Sequence, residues 1–90
     1  MTIKTIEIQG TEQNVRIERL EDAIGRTSAQ VFVGNRLVCE VACDEDRDSR
    51  YAKAAEVAKV VYGTDRKGRP AATNSMVHEV MNEIERVAGC

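Results

Sequence analysis

The stretch Ser28-Ala29-Gln30-Val31-Phe32-Val33-Gly34-Asn35-Arg36-Leu37-Val38-Cys39-Glu40-Val41-Ala42-Cys43 decides the fold of this chain. Two β-rich runs flank Gly34-Asn35, a two-residue turn whose twist suits a hairpin. A hairpin covered on one side should alternate apolar and polar residues. Here the expected pairing sets Val31 beside Val38 on one face and Phe32 beside Leu37 on the other, so both faces carry apolar groups. A chain of 90 residues has little material to cover both sides of a sheet. One apolar stripe is therefore expected to meet a partner.

Upstream, Asn14 to Leu20 alternates cleanly and reads as a strand, as does the stretch 3–9. Asp22-Ala23-Ile24-Gly25-Arg26 suits a type I turn followed by a left-handed Gly25. That turn places Asp22 across from Arg26 and sets the register: Val15 with Val33, Arg16 with Phe32, Ile17 with Val31, Glu18 with Gln30. One face then collects Val15, Ile17, Ala29, Val31, Val33, Val38 and Ala42. The other collects Arg16, Glu18, Leu20, Gln30, Phe32, Leu37, Cys39 and Val41, with Glu40 at the edge of the core face. The first set is the better core. The opposite assignment, with the lone Phe32 inside, stays open at the level of sequence.

Downstream, a helix is expected from about Asp48 to Tyr62, opened by the acids Asp44, Glu45, Asp46 and Asp48 and closed by Gly63. Its alanines, Ala52, Ala54, Ala55 and Ala58, would allow close approach to the sheet, and Tyr51 and Tyr62 would add core bulk. A second helix is expected from Ala71 or Thr73 to Ala88, with Val77, Val80, Met81, Ile84 and Val87 at helical spacing. The fold class is therefore α+β: a four-stranded antiparallel sheet in ββββαα order, with two antiparallel helices packed on one face. Residues 1–90 form a single domain.

Composition narrows the function. The formal charge of −2 disfavours a nucleic-acid protein, whose affinity comes largely from neutralising phosphates. No apolar run reaches the length of a membrane span, and the N-terminus lacks a signal-peptide core. The expectation is a cytoplasmic protein, in a bacterial host cell if the resemblance described below holds. Three cysteines make a poor disulfide framework. Cys39 and Cys43, four apart on a strand, lie roughly 13 Å apart by strand rise, so all three are expected to be free thiols.

No motif carries catalysis. His78, the one histidine, has no nucleophile or orienting partner placed by spacing and reads as solvent-facing. The acidic run lacks the glycine and closing glutamate of a calcium loop and reads as a complement to the helix dipole. Arg66, Lys67 and Arg69 read as a solvated turn, since the Walker spacing is absent. The chain is expected to be no enzyme and to hold no cofactor or metal. Two strands followed by a helix share their order with the end of a double-stranded RNA-binding domain. Such domains place lysines where Asp44, Glu45, Asp46 and Asp48 stand here.

A protein-binding module fits better. The candidate contact residues are Glu7, Arg16, Glu18, Leu20, Gln30, Phe32, Leu37 and Val41: apolar anchors rimmed by charge, the usual layout of an interface. The partner implied has a basic and partly apolar surface. A homodimer through the same sheet face is an equally legal use of it, and would make the chain an adaptor or assembly protein.

Several strings carry a family likeness: Asn14-Val15-Arg16-Ile17, Ala29-Gln30-Val31, Val33-Gly34-Asn35-Arg36, Tyr62-Gly63 and Met81-Asn82-Glu83-Ile84. In these, and in its order of elements, the chain resembles small phage-encoded type I-F anti-CRISPR proteins. The resemblance implies a four-stranded sheet under two helices. It also implies inhibition by binding: the family sits on the crRNA-guided surveillance complex and blocks target DNA. That family's contact residues, two tyrosines and a glutamate on the exposed sheet face, fall at Glu18, at Phe32 and near Ile6 or Ile8 here. All three differ, which puts the identity of the target in doubt.

Overall fold

The computed structural model of the chain describes residues 3–7 and 14–90, with side chains from residue 15 onward. Its body is a three-stranded antiparallel sheet and two helices. Ile3–Glu7 is β1, Asn14–Glu21 β2, Thr27–Val33 β3 and Arg36–Ala42 β4; Arg47–Tyr62 is α1 and Asn74–Ala88 α2. The backbone of β1 runs antiparallel beside β2, from Ile3 opposite Glu18 to Glu7 opposite Asn14.

Turn chemistry fixes the register of β2 and β3. Asp22 and Arg26 face each other, with the Asp22 N–H donating to the Arg26 carbonyl at 3.0 Å. The Asp22 carboxylate accepts from the N–H groups of Ile24 at 3.0 Å and Arg26 at 2.9 Å. Gly25 supplies the positive φ, +84°, that closes the loop. The pairs are those expected: Val15 with Val33, Arg16 with Phe32, Ile17 with Val31 and Glu18 with Gln30. Between β3 and β4, Gly34 has φ +62° and, among the described residues, no non-glycine is left-handed, which suits a type II′ turn.

The pairing of β3 with β4 differs from expectation beyond that turn. Phe32 faces Leu37, but Val31 faces Cys39, not Val38. Val38 is the extra residue of a β-bulge, which inserts one residue and reverses the side-chain parity after it. Val41 therefore points into the core, 1% exposed, and is not part of the outer face. Cys39 also turns inward, its Sγ 3.9 Å from the Lys53 carbonyl oxygen of α1. Glu40 and Ala42 turn outward, paired with Gln30 and Ser28. Val38 is half-buried at the core margin.

One hydrophobic core lies between this inner face and the helices. Ile17, Val15, Val31, Val41, Val57 and Ile84 are its largest fully buried side chains. Val31 is 0% exposed while its neighbour Phe32 is only half-buried, so the inner face is the one built from valine and isoleucine. α2 presents Val77, Val80, Met81, Ile84 and Val87 at helical spacing. α1 buries Ala54, Val57, Ala58 and Val61, whereas Ala52 is exposed. Tyr51 and Tyr62 pack against the core at its margin. The Tyr51 hydroxyl and the Asn74 side-chain oxygen are 3.0 Å apart, joining the two helices.

Both helices start at good caps. Asp46 accepts from the Ser49 N–H at 2.7 Å. At α2, Thr73 accepts from the Met76 N–H at 3.3 Å, and the Met76 thioether accepts from the Thr73 N–H at 3.2 Å. The connection between them is an ordered hairpin. Asp65-Arg66-Lys67-Gly68-Arg69 repeats the D-x-x-G-R pattern and the bonding of the β2–β3 turn, with the Asp65 carboxylate accepting from Lys67 and Arg69 at 2.9 Å each and Gly68 at φ +79°.

The cysteines also depart from expectation. Cys43 and Cys90 form a disulfide across 47 residues, with their Cα atoms 5.4 Å apart, well within bridging range. Cys39 alone is free. Left-handed Gly89 ends α2 and turns the chain toward the end of β4. A side chain there would come within 3.3 Å of the Arg19 guanidinium. Among the described residues no helix is long and apolar enough to cross a membrane.

Candidate protein-binding face

The outer face of β2, β3 and β4 has no helix over it, because α1 and α2 both pack on the inner face. At its centre the Arg16 guanidinium lies over the Phe32 ring, 4.4 Å from the centroid. This is a cation–π pair between directly opposed residues of neighbouring strands. Glu18 Oε1 lies 3.5 Å from Arg16 Nε. That nitrogen is buried and has no hydrogen-bond partner among the described residues, so Glu18 supplies charge there and not a hydrogen bond. Leu37, opposite Phe32, is 48% exposed. The Arg16–Phe32 stack, Glu18 and Leu37 therefore form one surface, with Gln30 beside Glu18.

Toward the β2–β3 turn the same face deepens into a groove of about 440 Å³. Leu20 and Ala42 form apolar parts of its wall, and Glu21, Asp22, Glu40 and Asp44 add carboxylates. Among the described residues Arg26 is the one cation in its walls, and it pairs with Asp44 at 3.8 Å. The Ser28 hydroxyl lies 3.3 Å from a Glu40 oxygen. Ile24, at the tip of the turn beside Asp22, is 75% exposed. The groove owes Glu40 and Ala42 to the bulge at Val38.

Of the residues expected on this face, Arg16, Glu18, Leu20, Gln30, Phe32 and Leu37 share it. Val41 does not, and Glu7 lies in β1, where the side chains are outside the described residues. Ala42 and the groove escaped the sequence reading, and Glu40, expected at the edge of the core face, stands on the outer one. The signal available was Glu40 itself, a charge at a position assigned to the core face.

The remaining charged candidates have structural work. Burial raises the Glu45 carboxyl, but Lys53 at 2.5 Å, the Ser49 hydroxyl at 2.7 Å and the Ala42 N–H at 2.6 Å outweigh it and hold the pKa at about 2. Asp46 caps α1, and Asp48 sits in its first turn. Among the described residues no group of His, Cys, Asp or Glu is arranged to hold a metal ion. His78 is exposed with its ring 5.1 Å from that of Tyr51. Burial pushes the Cys39 thiol up to about 11 against the pull of Lys53, far from the range of a nucleophilic cysteine. Burial and then Glu79 raise the Tyr62 hydroxyl.

Comparison with known family models, curated proteins and solved structures finds no match to this chain.

Proposed function

We propose that this chain is a non-enzymatic protein-binding module that works through its uncovered sheet face, with β1 counted as the fourth strand. The observation that carries this reading is the division of the sheet. Its inner face is filled by aliphatic groups under both helices. Its outer face holds an aromatic under a guanidinium, an exposed leucine and a carboxylate-lined groove. Such a surface suits a partner that is partly apolar and carries basic side chains: apolar anchors supply affinity, and opposite charge supplies orientation and rate.

The particular form implied by the resemblance is a phage inhibitor that binds a crRNA-guided surveillance complex. Its test is target-DNA binding by a purified type I-F complex, with and without this protein. Inhibition that is lost with Phe32→Ala and Leu37→Ser supports that form. Full DNA binding at saturating protein rejects it.

A homodimer through the same face is the second form, favoured by the exposed Leu37 beside Phe32. Sedimentation of the wild type separates the two, because only self-association depends on the concentration of this chain alone.

A further inference from the structure

The disulfide between Cys43 and Cys90 is unequal at its two ends. Cys90 is exposed, beyond the cap of α2, whereas Cys43 is half-buried at the end of β4. The Thr27 hydroxyl donates to Cys43 Sγ at 3.1 Å. The Arg19 guanidinium lies against Gly89, the residue before Cys90.

We propose that this bridge is a thiol-exchange site for a small anionic thiol of the glutathione class, with Cys90 as the sulfur attacked and Cys43 as the leaving and resolving sulfur. Exchange requires an accessible sulfur for the incoming thiolate and favours a leaving sulfur stabilised as its anion. Cys90, exposed where Cys43 is half-buried, meets the first requirement better than its partner. Cys43 meets the second, because the Thr27 hydroxyl at 3.1 Å donates to its charged form and stabilises it, against the more distant Ala88 carbonyl oxygen at 3.5 Å. Arg19 places positive charge beside Gly89, one residue from the sulfur attacked, where it favours a thiol carrying carboxylates.

The chemistry balances without a further reagent. A glutathione thiolate forms a bond to Cys90 Sγ, the Cys43–Cys90 bond breaks, and its electron pair leaves on Cys43 Sγ, which accepts the Thr27 hydroxyl hydrogen bond. Cys43 can then attack Cys90 Sγ and expel the glutathione thiolate, restoring the bridge. Alternatively a second glutathione attacks the sulfur of the first. Glutathione disulfide is released, and Cys90 leaves as a thiolate. Two glutathiones are thereby oxidised and one protein disulfide reduced to two thiols. Cys39 takes no part: it faces α1 at the Lys53 carbonyl.

The first experiment exposes Cys43→Ser and Cys90→Ser separately to glutathione disulfide and follows adducts by mass spectrometry. The expected result is one glutathionyl group on Cys90 in the first variant, formed about tenfold faster than on Cys43 in the second. The second experiment keeps the wild-type bridge and times its reduction by glutathione. Thr27→Val should slow it about fivefold, the size of one ordinary hydrogen bond, and Thr27→Ser should restore it. Arg19→Gln should slow glutathione more than the cationic thiol cysteamine. Faster adduct formation at Cys43, or reduction rates indifferent to both Thr27→Val and Arg19→Gln, would overturn the assignment. So would three free thiols in protein purified under air. The rate measurements stand even if a cysteine variant fails to fold.

Discussion

Arg16 and Phe32 face each other across β2 and β3, with the guanidinium 4.4 Å from the ring centroid. The stack shields the one aromatic ring of the outer face without burying it. On the proposed reading a partner would meet this stack as an anchor, as interface residues of this type do.

The first prediction follows from that pair. Phe32→Ala should weaken partner binding by about 2–4 kcal/mol. Glu18→Lys should slow association with a basic partner, more strongly at low salt than at high. Association rates across a salt series check both. Salt-independent effects of Glu18→Lys would place the charge outside the encounter surface.

The bulge at Val38 makes the second prediction. Val41→Asp should cost several kcal/mol, because it buries an unpaired carboxylate. Glu40→Gln, one residue away, should stay within about 0.5 kcal/mol of wild type. Urea denaturation of the two variants reads this directly. Equal costs would mean that β4 pairs in the unbulged register.

How far the sequence carried the fold depends on the local signal at each turn. Asp22, Gly25 and Arg26 announce their turn by residue type, so the register of β2 on β3 is legible through Ile17 and Val31. The spacing from Val77 to Val87 does the same for α2. The bulge is not legible, because Val38 and Cys39 are both apolar and either could face inward. Only Glu40 tells against the simple alternation, and it reads equally as an edge residue. The second D-x-x-G-R run, at Asp65, carries the same residue types, yet its charges alone read as a solvated turn. The disulfide was not, since no local pattern links residues 47 positions apart.

The third prediction concerns that bridge as a constraint. In the chain-entropy account, closing a loop of 47 residues contributes about 4 kcal/mol. Cys43→Ser, or treatment of the wild type with a phosphine reductant, should therefore lower stability by about 2–4 kcal/mol. Cys39→Ser should leave the sensitivity to reductant intact. Denaturation with and without reductant checks this, and identical curves for the wild type would contradict it.

Glu45 gives the fourth prediction, in pH. Its carboxyl sits at about 2 in the folded protein against a usual value of 4.5. A depressed folded pKa contributes stability that is fully present above 4.5 and is lost as pH falls toward 2. Glu45→Gln should therefore be less stable than wild type at neutral pH, and the gap should close between 4.5 and 2. Thermal melts across that range measure it. A gap that stays constant would mean that the network with Lys53 and Ser49 does not depend on the charge.

The central claim is that one face of the sheet carries the fold while the other is left for a partner. Equilibrium denaturation of Val31→Asp beside Phe32→Asp tests it most directly, since the two residues are adjacent and point to opposite sides. The account predicts that Val31→Asp loses several kcal/mol or fails to fold, while Phe32→Asp stays within about 1 kcal/mol of wild type, close to the worth of its contact with Arg16. The reverse order, or an equal loss in both, would contradict it.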